Sequence, residues 1–384
     1  MRLTALAWSS VPVVIVAFLV AALIAFALTP LVRRIALRID AVDKPDQRRV
    51  NVVPIPRGGG VAVAASFVAV VLAFTWLNDA FGFVVVPTTI DQPALIALLL
   101  GGALAAAFGV LDDYFDLRAR WQFAAQLVLA LLAVGLGVTI EVVSNPLGPD
   151  LIRLEGFVAA AFTILWIVGM LNSINFIDGL DGLSSGVVFI AAITLGLISL
   201  TLASQLYVAI LCFVLAGALL GFLRYNFHPA TVFVGTSGVM FMGYTLAVLS
   251  IVGTAKIAVA LLVLAVPIID AFWIIVRRVA QGRSPFSPDR GHLHHRLLDV
   301  GLSHRQTVLL IYAICVGLGA LSLLLSGAGQ VYAFLGVFVL IGLALLALSR
   351  IDLGGPDAEP GSKREETRDD GRARAQGSQT SRTG

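Results

Sequence analysis

The chain has 384 residues, of which 59% are hydrophobic and only 13% are charged, and its mean hydropathy is +0.96. Soluble globular proteins carry about 25% charged residues, so this composition excludes an ordinary water-soluble domain. The formal net charge of +3 is too small to predict nucleic-acid binding, and the chain contains no zinc-finger or RNA-binding motif.

Long uncharged apolar segments recur along the chain, and about 20 such residues span a bilayer. We predict an all-α, polytopic integral membrane protein with about 11 transmembrane helices, at residues 11–32, 58–77, 94–111, 122–140, 157–174, 184–202, 206–223, 232–252, 255–276, 307–325 and 330–349. The first segment lacks a small-residue cleavage site, which favours a retained helix over a signal peptide. Residues 1–351 are predicted to form one membrane domain. Residues 352–384 mix both charges with few apolar side chains, which predicts a disordered tail.

The lysine and arginine residues predict the orientation of these helices. Outside the tail, sixteen of them fall in loops on one predicted side of the membrane and three on the other. By the positive-inside rule the first side is cytoplasmic, so the N-terminus lies outside and the C-terminus in the cytoplasm. The polar motifs described next all fall at this cytoplasmic side.

The first cytoplasmic loop carries Lys44 and, near its end, Arg57 followed by three glycines. Both cations could bind phosphate, and the glycines would let the backbone approach an anion at the start of the second helix. A cationic anchor at the membrane surface explains the same residues.

An acidic cluster, Asp112, Asp113 and Asp116, follows the third apolar segment. On a continuing helix these carboxylates would be three or four residues apart and would repel one another unless a cation or proton lay between them. A set of oxygen ligands suits Mg²⁺. The alternative is an acidic helix end in contact with water.

The segment 172–183 places Asn172, Asn175, Asp178 and Asp181 at every third position. A carboxylate at membrane depth costs about 2.5–3.5 kcal/mol, so two of them in one stripe indicate a functional site. Gly179 and Gly182 permit an irregular turn or the close approach of a ligand. The alternative, a polar interface between helices, explains the amides but not the carboxylates.

The last long loop carries three histidines between two arginines, namely Arg290, His292, His294, His295 and Arg296. A zinc site needs a fixed set of ligands, and the arginines would repel a cation. Capture of phosphate by imidazole and guanidinium groups is the favoured interpretation. Attraction of a basic loop to anionic lipid would explain the arginines only.

Together these residues predict a type of chemistry. Carboxylates that hold Mg²⁺ and cations that hold phosphate, at the boundary of lipid and cytosol, predict phosphoryl transfer from a water-soluble diphosphate to a lipid phosphate. A lipid monophosphate has a second pKa of about 6 and is mostly a dianion at neutral pH. It therefore needs little help from a base.

The motifs Asp112-Asp113, Asn172-x-x-Asn175-x-x-Asp178-Gly-x-Asp181-Gly-Leu and His292-Leu-His-His-Arg296 resemble those of the polyprenyl-phosphate N-acetylhexosamine-1-phosphate transferases. The His-x-His-His form resembles the branch that uses UDP-N-acetylglucosamine. The resemblance implies eleven helices, Mg²⁺ (or Mn²⁺), a UDP-N-acetylhexosamine donor and undecaprenyl or decaprenyl phosphate as acceptor. It also implies release of UMP at the cytoplasmic face of a bacterial plasma membrane, as the first step of cell-wall or surface polysaccharide synthesis.

The resemblance also implies residue roles. Lys44 would meet phosphate, and Asp112 and Asp113 would orient or deprotonate the acceptor. Asn175 and Asp178 would bind Mg²⁺, and Asp178 and Asp181 would serve the nucleotide and ion region. The complete predicted substrate-binding set is Arg57, Asn172, Asn175, Arg290, His292, His294, His295 and Arg296.

One departure from the family pattern concerns the metal. The family carries Gly-Asp-x-Gly-Ser at the start of its eighth helix, whereas this chain reads Gly235-Thr-Ser-Gly-Val239. Thr236 offers a neutral hydroxyl, which is a weaker ligand for Mg²⁺ than a carboxylate. Either Asp178 or a neighbour compensates, or the chain is a weakened or silent homologue.

Two further alternatives stay open at this point. An ion-coupled transporter would also carry carboxylates within the membrane, but usually near the midplane and within internal repeats, and we find no convincing repeat. A homodimer is also open, because Gly217-x-x-x-Gly221 could pack helices together within one subunit or between two.

Overall fold

The computed structural model describes residues 5–43, 54–86, 90–145, 148, 150–202, 205–253, 257–282, 284, 291–325 and 327–350. Two predicted phosphate-binding residues, Lys44 and Arg290, lie outside the described residues, as does the predicted tail. The chain as far as Leu345 forms one compact unit. Residues 346–384 separate as a second unit, of which only the last residues of a helix are described.

Helices dominate the described part of the chain. They are α1 (Ala5–Arg38), α2 (Gly60–Phe81), α3 (Gln92–Phe115), α4 (Ala119–Gly135), α5 (Gly156–Ile177), α6 (Leu183–Leu200), α7 (Leu206–Asn226), α8 (Gly235–Val252), α9 (Ile257–Val263), α10 (Ala265–Ala280), α11 (Leu293–Asp299), α12 (His304–Leu324) and α13 (Ala328–Arg350). Two antiparallel hairpins pair β1 (Val42–Asp43) with β2 (Ile55–Pro56) and β3 (Val142–Ser144) with β4 (Leu151–Arg153). Nine of the described helices are long and apolar enough to cross a bilayer, which confirms the prediction of an all-α polytopic membrane protein.

The eleven predicted segments correspond to eleven helical units of the described chain. Nine are single long helices, the fourth is the 17-residue α4, and the ninth is the pair α9–α10, which is bent by 77°. The prediction of one continuous ninth helix was wrong. Pro267 in the first turn of α10 explains the break, because proline lacks the N–H that a continuous helix would need there.

Helix α8 lies at the centre of the bundle. Within its most apolar stretch 83% of the residues are buried, against 22% for α1. Helices α3 and α5 pack on α8, and α7 packs between α1 and α6. The N-terminus of α8, which carries Thr236, is therefore surrounded by the ends of other helices.

Glycines allow these helix ends to approach closely. A Cβ atom on Gly60 would lie 1.9 Å from the Cα atom of Gly238, and one on Gly109 would lie 2.3 Å from the Cα atom of Ser237. The N–H groups of Gly59 and Gly60 donate to carbonyl groups of residues 233 and 234. These two glycines therefore attach α2 to the start of α8, and the approach of an anion to the three-glycine run stays a prediction.

The Gly217-x-x-x-Gly221 motif packs within one subunit. A Cβ atom on Gly217 would lie 2.2 Å from the carbonyl oxygen of Phe18, and one on Gly221 would lie 2.1 Å from that of Ala22. Both glycines thus bring α7 against the backbone of α1. Both glycines of the motif are therefore used for packing within one subunit, and the homodimer stays a prediction.

We expect Gly217→Val to lower the free energy of unfolding by about 1–3 kcal/mol, the usual cost of overpacking, because the new side chain would meet the α1 backbone. Thermal unfolding of the purified protein in detergent measures the change. The matched control is Gly317→Val on α12, where an added Cβ meets nothing within 4 Å. Equal losses in the two variants would contradict this account of the α1–α7 contact.

Candidate functional site

A cavity of about 740 Å³ lies where the β1–β2 hairpin, the end of α3, the turn after α5 and the start of α8 meet. We call it the charged cavity. Six predicted site residues line it: Arg57, Asp113, Asn175, Asp178, Asp181 and His295. Seven other polar or charged residues also line it: Arg33, Asp43, Asn226, His228, Thr231, Thr236 and His304. Residues far apart in sequence, including both members of the Asp43–Arg57 ion pair across the hairpin, therefore converge on one cavity.

Asp113 is held at the N-terminus of α8. Its Oδ1 atom accepts a hydrogen bond from the backbone N–H of Thr236 at 2.8 Å, and its Oδ2 atom accepts one from Ser237 at 3.1 Å. These N–H groups lie in the first turn of the helix and have no partner within it, and the helix dipole favours an anion there. Each carboxylate oxygen keeps a second lone pair that a cation in the charged cavity could use.

Asp178 and Asp181 lie in the turn that joins α5 to α6. Helix α5 ends at Ile177, and Gly182 starts α6 with a φ of +77°, a conformation that glycine adopts without strain. The hydroxyl of Ser184 donates to Asp178 Oδ1 at 2.5 Å. The stripe 172–181 is thus half helix and half turn, in agreement with the predicted irregular turn.

The environment of Asp178 favours a cation. Burial raises the pKa of Asp178 to about 7, although the hydrogen bond from Ser184 lowers it. The nearby carboxylates of Asp113 and Asp181 contribute to this upward shift. A cation between these groups would favour the ionised form, and oxygen ligands of this kind fit a hard dication such as Mg²⁺. Asn175 could add an amide oxygen, so the residues present fit the predicted Mg²⁺.

The acidic cluster at the end of α3 does not act as one group. Asp112 accepts hydrogen bonds from the Gln122 side chain at 3.0 and 3.1 Å and from the backbone of Leu117 at 3.2 Å. It is buried and is not among the residues that line the charged cavity. Asp116 ends the helix with a φ of +50° and is exposed. The prediction of three carboxylates around one cation was wrong for this segment, and the catalytic role of Asp112 stays a prediction.

The loop that carries His292, His294 and His295, which we call the histidine loop, places these side chains in different surroundings. His295 lines the charged cavity. His294 is buried between His292 and His295, and its Nε2 atom lies where a Cβ on Gly179 would be. Burial, together with the two neighbouring imidazoles, holds the pKa of His294 well below its usual value. His294 is therefore neutral at pH 7, and it packs the loop against the turn after α5.

Arg296 is not among the residues that line the charged cavity. Its Nε atom donates to the carbonyl of Gly291 at 2.9 Å, and its Nη1 atom donates to that of Leu345 at 3.3 Å. The residue is buried. In this arrangement Arg296 attaches the loop to α13, and its predicted contact with phosphate stays a prediction.

Sequence reasoning missed Asp270. This buried carboxylate on α10 lies 2.8 Å from Nδ1 of His292, and it accepts a hydrogen bond from the backbone N–H of Leu293 at 2.8 Å. It therefore fixes the start of α11 and the orientation of His292. A single acidic residue within an apolar helix was the signal that could have found it.

A second cavity, of about 880 Å³, lies between α4, α5, α9 and α10. We call it the apolar cavity. Much of its wall is apolar, and Phe162, Leu165 and Phe272 in that wall are exposed at the outside of the bundle. One side is lined with amides, among which Asn172 donates to Gln126 at 2.7 Å. His292 also lines this cavity, and Asn175 lines both cavities.

Comparison with known proteins shows what the chain resembles. Residues 95–254 match the sequence model of glycosyl transferase family 4. The chain is 36% identical over 334 residues to the probable undecaprenyl-phosphate N-acetylglucosaminyl 1-phosphate transferase of Bacillus subtilis, covering 85% of this chain and 89% of that protein. It is 35% identical over 370 residues to decaprenyl-phosphate N-acetylglucosaminephosphotransferase of Mycolicibacterium smegmatis, covering 89% of each. It is 30% identical over 329 residues to undecaprenyl-phosphate alpha-N-acetylglucosaminyl 1-phosphate transferase of Yersinia pestis, covering 82% of this chain and 84% of that protein.

Proposed function

The chain belongs to the polyprenyl-phosphate N-acetylglucosaminyl 1-phosphate transferases of glycosyl transferase family 4, and we propose that its donor is UDP-N-acetylglucosamine and its acceptor undecaprenyl or decaprenyl phosphate. An oxygen of the acceptor phosphate attacks the phosphorus that carries the sugar, and the bond from this phosphorus to UMP breaks. The products are a polyprenyl-diphospho-sugar and UMP. The observation that carries this proposal is that Asn175 lines both the charged and the apolar cavity.

The charged cavity suits the donor. Arg33, Arg57 and His295 line it and offer positive or hydrogen-bonding groups to a diphosphate. Asp113, Asp178 and Asn175 would hold Mg²⁺, which when bound neutralises charge on the diphosphate. Asp113 is already fixed by α8, so it needs no rearrangement to take part.

The apolar cavity suits the acceptor. Phe162, Leu165 and Phe272 would contact the first isoprene units of its lipid tail. The amide side of the cavity leads to Asn175 and His292, where the lipid phosphate would meet the donor. Since this phosphate is mostly a dianion at neutral pH, positioning it matters more than removing a proton.

The distribution of lysine and arginine also supports a membrane location and an orientation for the protein. We infer a multi-pass protein of the bacterial plasma membrane with its N-terminus outside, its C-terminus in the cytoplasm and its active site at the cytoplasmic face. A cytoplasmic nucleotide sugar reaches that face directly. The lipid-linked product would then start a cell-wall or surface polysaccharide.

Release of UMP tests this function. The purified protein is incubated with UDP-N-acetylglucosamine and undecaprenyl phosphate, with Mg²⁺ or with a chelator. We expect UMP and the lipid-linked sugar in equal amounts, and neither with the chelator or without acceptor. Mn²⁺ should partly replace Mg²⁺. A silent homologue would release no UMP, and an ion-coupled transporter would move a solute across sealed vesicles without forming the lipid product.

We expect Gly169→Phe to raise the KM for polyprenyl phosphate about tenfold, the loss that a few displaced methylene contacts produce. Gly169 lines the apolar cavity, and an added Cβ there meets nothing within 4 Å, so the new ring would occupy the space of the lipid. The KM for UDP-N-acetylglucosamine should stay within twofold. Steady-state kinetics with each substrate varied measures both.

The matched control for this variant is Gly317→Phe on α12, which also has open space and is not among the residues that line either cavity. It should leave both KM values unchanged. An equal rise in the KM for both substrates in Gly169→Phe would show that the apolar cavity is not the acceptor site.

A further inference from the structure

Asp181, His228 and His304 form a group of potential metal ligands at the wall of the charged cavity. They come from three separate segments: the turn after α5, the loop after α7 and the first residue of α12. One oxygen of Asp181 and one ring nitrogen of each histidine lie within 4.8 Å of one another. Ligand atoms around a tetrahedral zinc ion lie about 3.3 Å apart, as bond lengths of about 2.0–2.1 Å require. Small movements of the side chains would therefore close this group around an ion.

Two of the ligand atoms are already close together. His228 Nδ1 lies 2.8 Å from Asp181 Oδ2, and the same oxygen accepts a hydrogen bond from the backbone N–H of Ala230 at 3.0 Å. That second hydrogen bond holds the carboxylate in place. A zinc ion at this position would bind Nδ1 of His228 in its unprotonated form, as metal binding to histidine requires.

His304 supplies the third observation. Its two ring nitrogens are shielded from solvent and make no hydrogen bond of ordinary geometry with any described residue, although the backbone of Asp181 lies beside the ring. The ring stacks on His228, with the centroids 4.1 Å apart and the planes 21° apart. A buried polar atom without a hydrogen bond costs free energy, and coordination would use the lone pair of this imidazole.

We propose that Asp181, His228 and His304 bind a Zn²⁺ ion at a site distinct from the Mg²⁺ site of Asp113 and Asp178. Imidazole nitrogen favours zinc and similar transition metals, whereas Mg²⁺ selects oxygen ligands. Three protein ligands leave a fourth position open, which an oxygen from the charged cavity would fill. The ion would tie α12 to the turn after α5 and so stabilise the fold when bound. The guanidinium of Arg305 donates to the backbone carbonyl of His228 at 3.3 Å and is the cation closest in sequence to the site.

Direct metal binding tests this proposal. The full-length protein is purified in detergent, freed of transition metals and kept in excess Mg²⁺, and Zn²⁺ is then titrated against a coloured competing chelator. We expect one Zn²⁺ to bind per chain and to raise the temperature of unfolding. His304→Gln and His228→Gln should each weaken binding at least about tenfold. Because the side chain of His228 is 33% exposed, His228→Gln tests the site even if His304→Gln does not fold.

The matched control is His295→Gln, which alters the same cavity through the histidine loop. It should leave the affinity for Zn²⁺ within twofold of that of the unmodified chain. The proposal is overturned if the unmodified chain binds no Zn²⁺ in excess Mg²⁺. It is also overturned if His295→Gln weakens binding as much as His228→Gln does, because the ion would then lie on the histidine loop.

Discussion

Asp113→Asn is expected to lower the rate of UMP release by about 100- to 1,000-fold, the usual effect of removing one preorganised electrostatic group from an active site. The carboxylate lines the charged cavity and is fixed by the N–H groups of Thr236 and Ser237. The amide oxygen of Asn can still accept one of these hydrogen bonds. The variant should therefore fold normally, and the loss should appear in kcat. Thermal unfolding and steady-state kinetics measure the two effects.

The matched control is Asp116→Asn, which removes a carboxylate from the same acidic segment. Asp116 is exposed and has a φ of +50°, which asparagine tolerates. Its rate should stay within twofold of the unmodified chain. A small effect at Asp113, or an equal loss at Asp116, would refute the assignment of Asp113 to the active site.

Thr236→Asp is expected to lower the Mg²⁺ concentration needed for half-maximal activity by at least about tenfold, because a carboxylate is a much stronger ligand for this ion than a hydroxyl. Thr236 lines the charged cavity together with Asp113 and Asp178. Its place in the first turn of α8 also favours a negative charge. Titration of UMP release with Mg²⁺ measures the change.

A stability measurement separates a metal effect from a general one. Without Mg²⁺ the new carboxylate would repel Asp113 and Asp178, so Thr236→Asp should unfold at a lower temperature and recover when Mg²⁺ is added. Thr236→Asn introduces a side chain of the same size as Asp but without its charge. It should show neither the lower unfolding temperature without Mg²⁺ nor the recovery when Mg²⁺ is added. If Thr236→Asp gained no Mg²⁺ affinity, the ion would be held without any contribution from this position.

Much of the fold could be predicted because apolar length alone identifies a membrane helix. The departures arise from single residues whose effect depends on distant partners. Pro267 breaks the ninth segment, yet a proline in an apolar stretch is compatible with a kink as well as with a break. The role of Asp270 likewise depends on a distant partner, because His292 lies 22 residues away along the chain.

The candidate site shows the same limit. The sequence placed Asp113, Asp178 and Asp181 near one another, and the structure brings all three to one cavity. The sequence could not show which of Asp112 and Asp113 faces the cavity. One step along a helix turns a side chain by about 100°, so the two carboxylates point in different directions. Which of the two meets α8 depends on a helix that begins more than 120 residues later, and no local pattern contains that information.

The sideways opening of the apolar cavity has a consequence for how the two substrates are supplied. Phe162, Leu165 and Phe272 line that cavity and are exposed at the outside of the bundle, so under the proposed assignment an isoprenoid would enter from the bilayer without crossing water. Most of a long tail would stay among the surrounding lipids during turnover. The donor would then reach the enzyme by three-dimensional diffusion in water, and the acceptor by two-dimensional diffusion within the membrane. Its rate should follow the mole fraction of polyprenyl phosphate in the membrane, whatever the amount of lipid in the suspension.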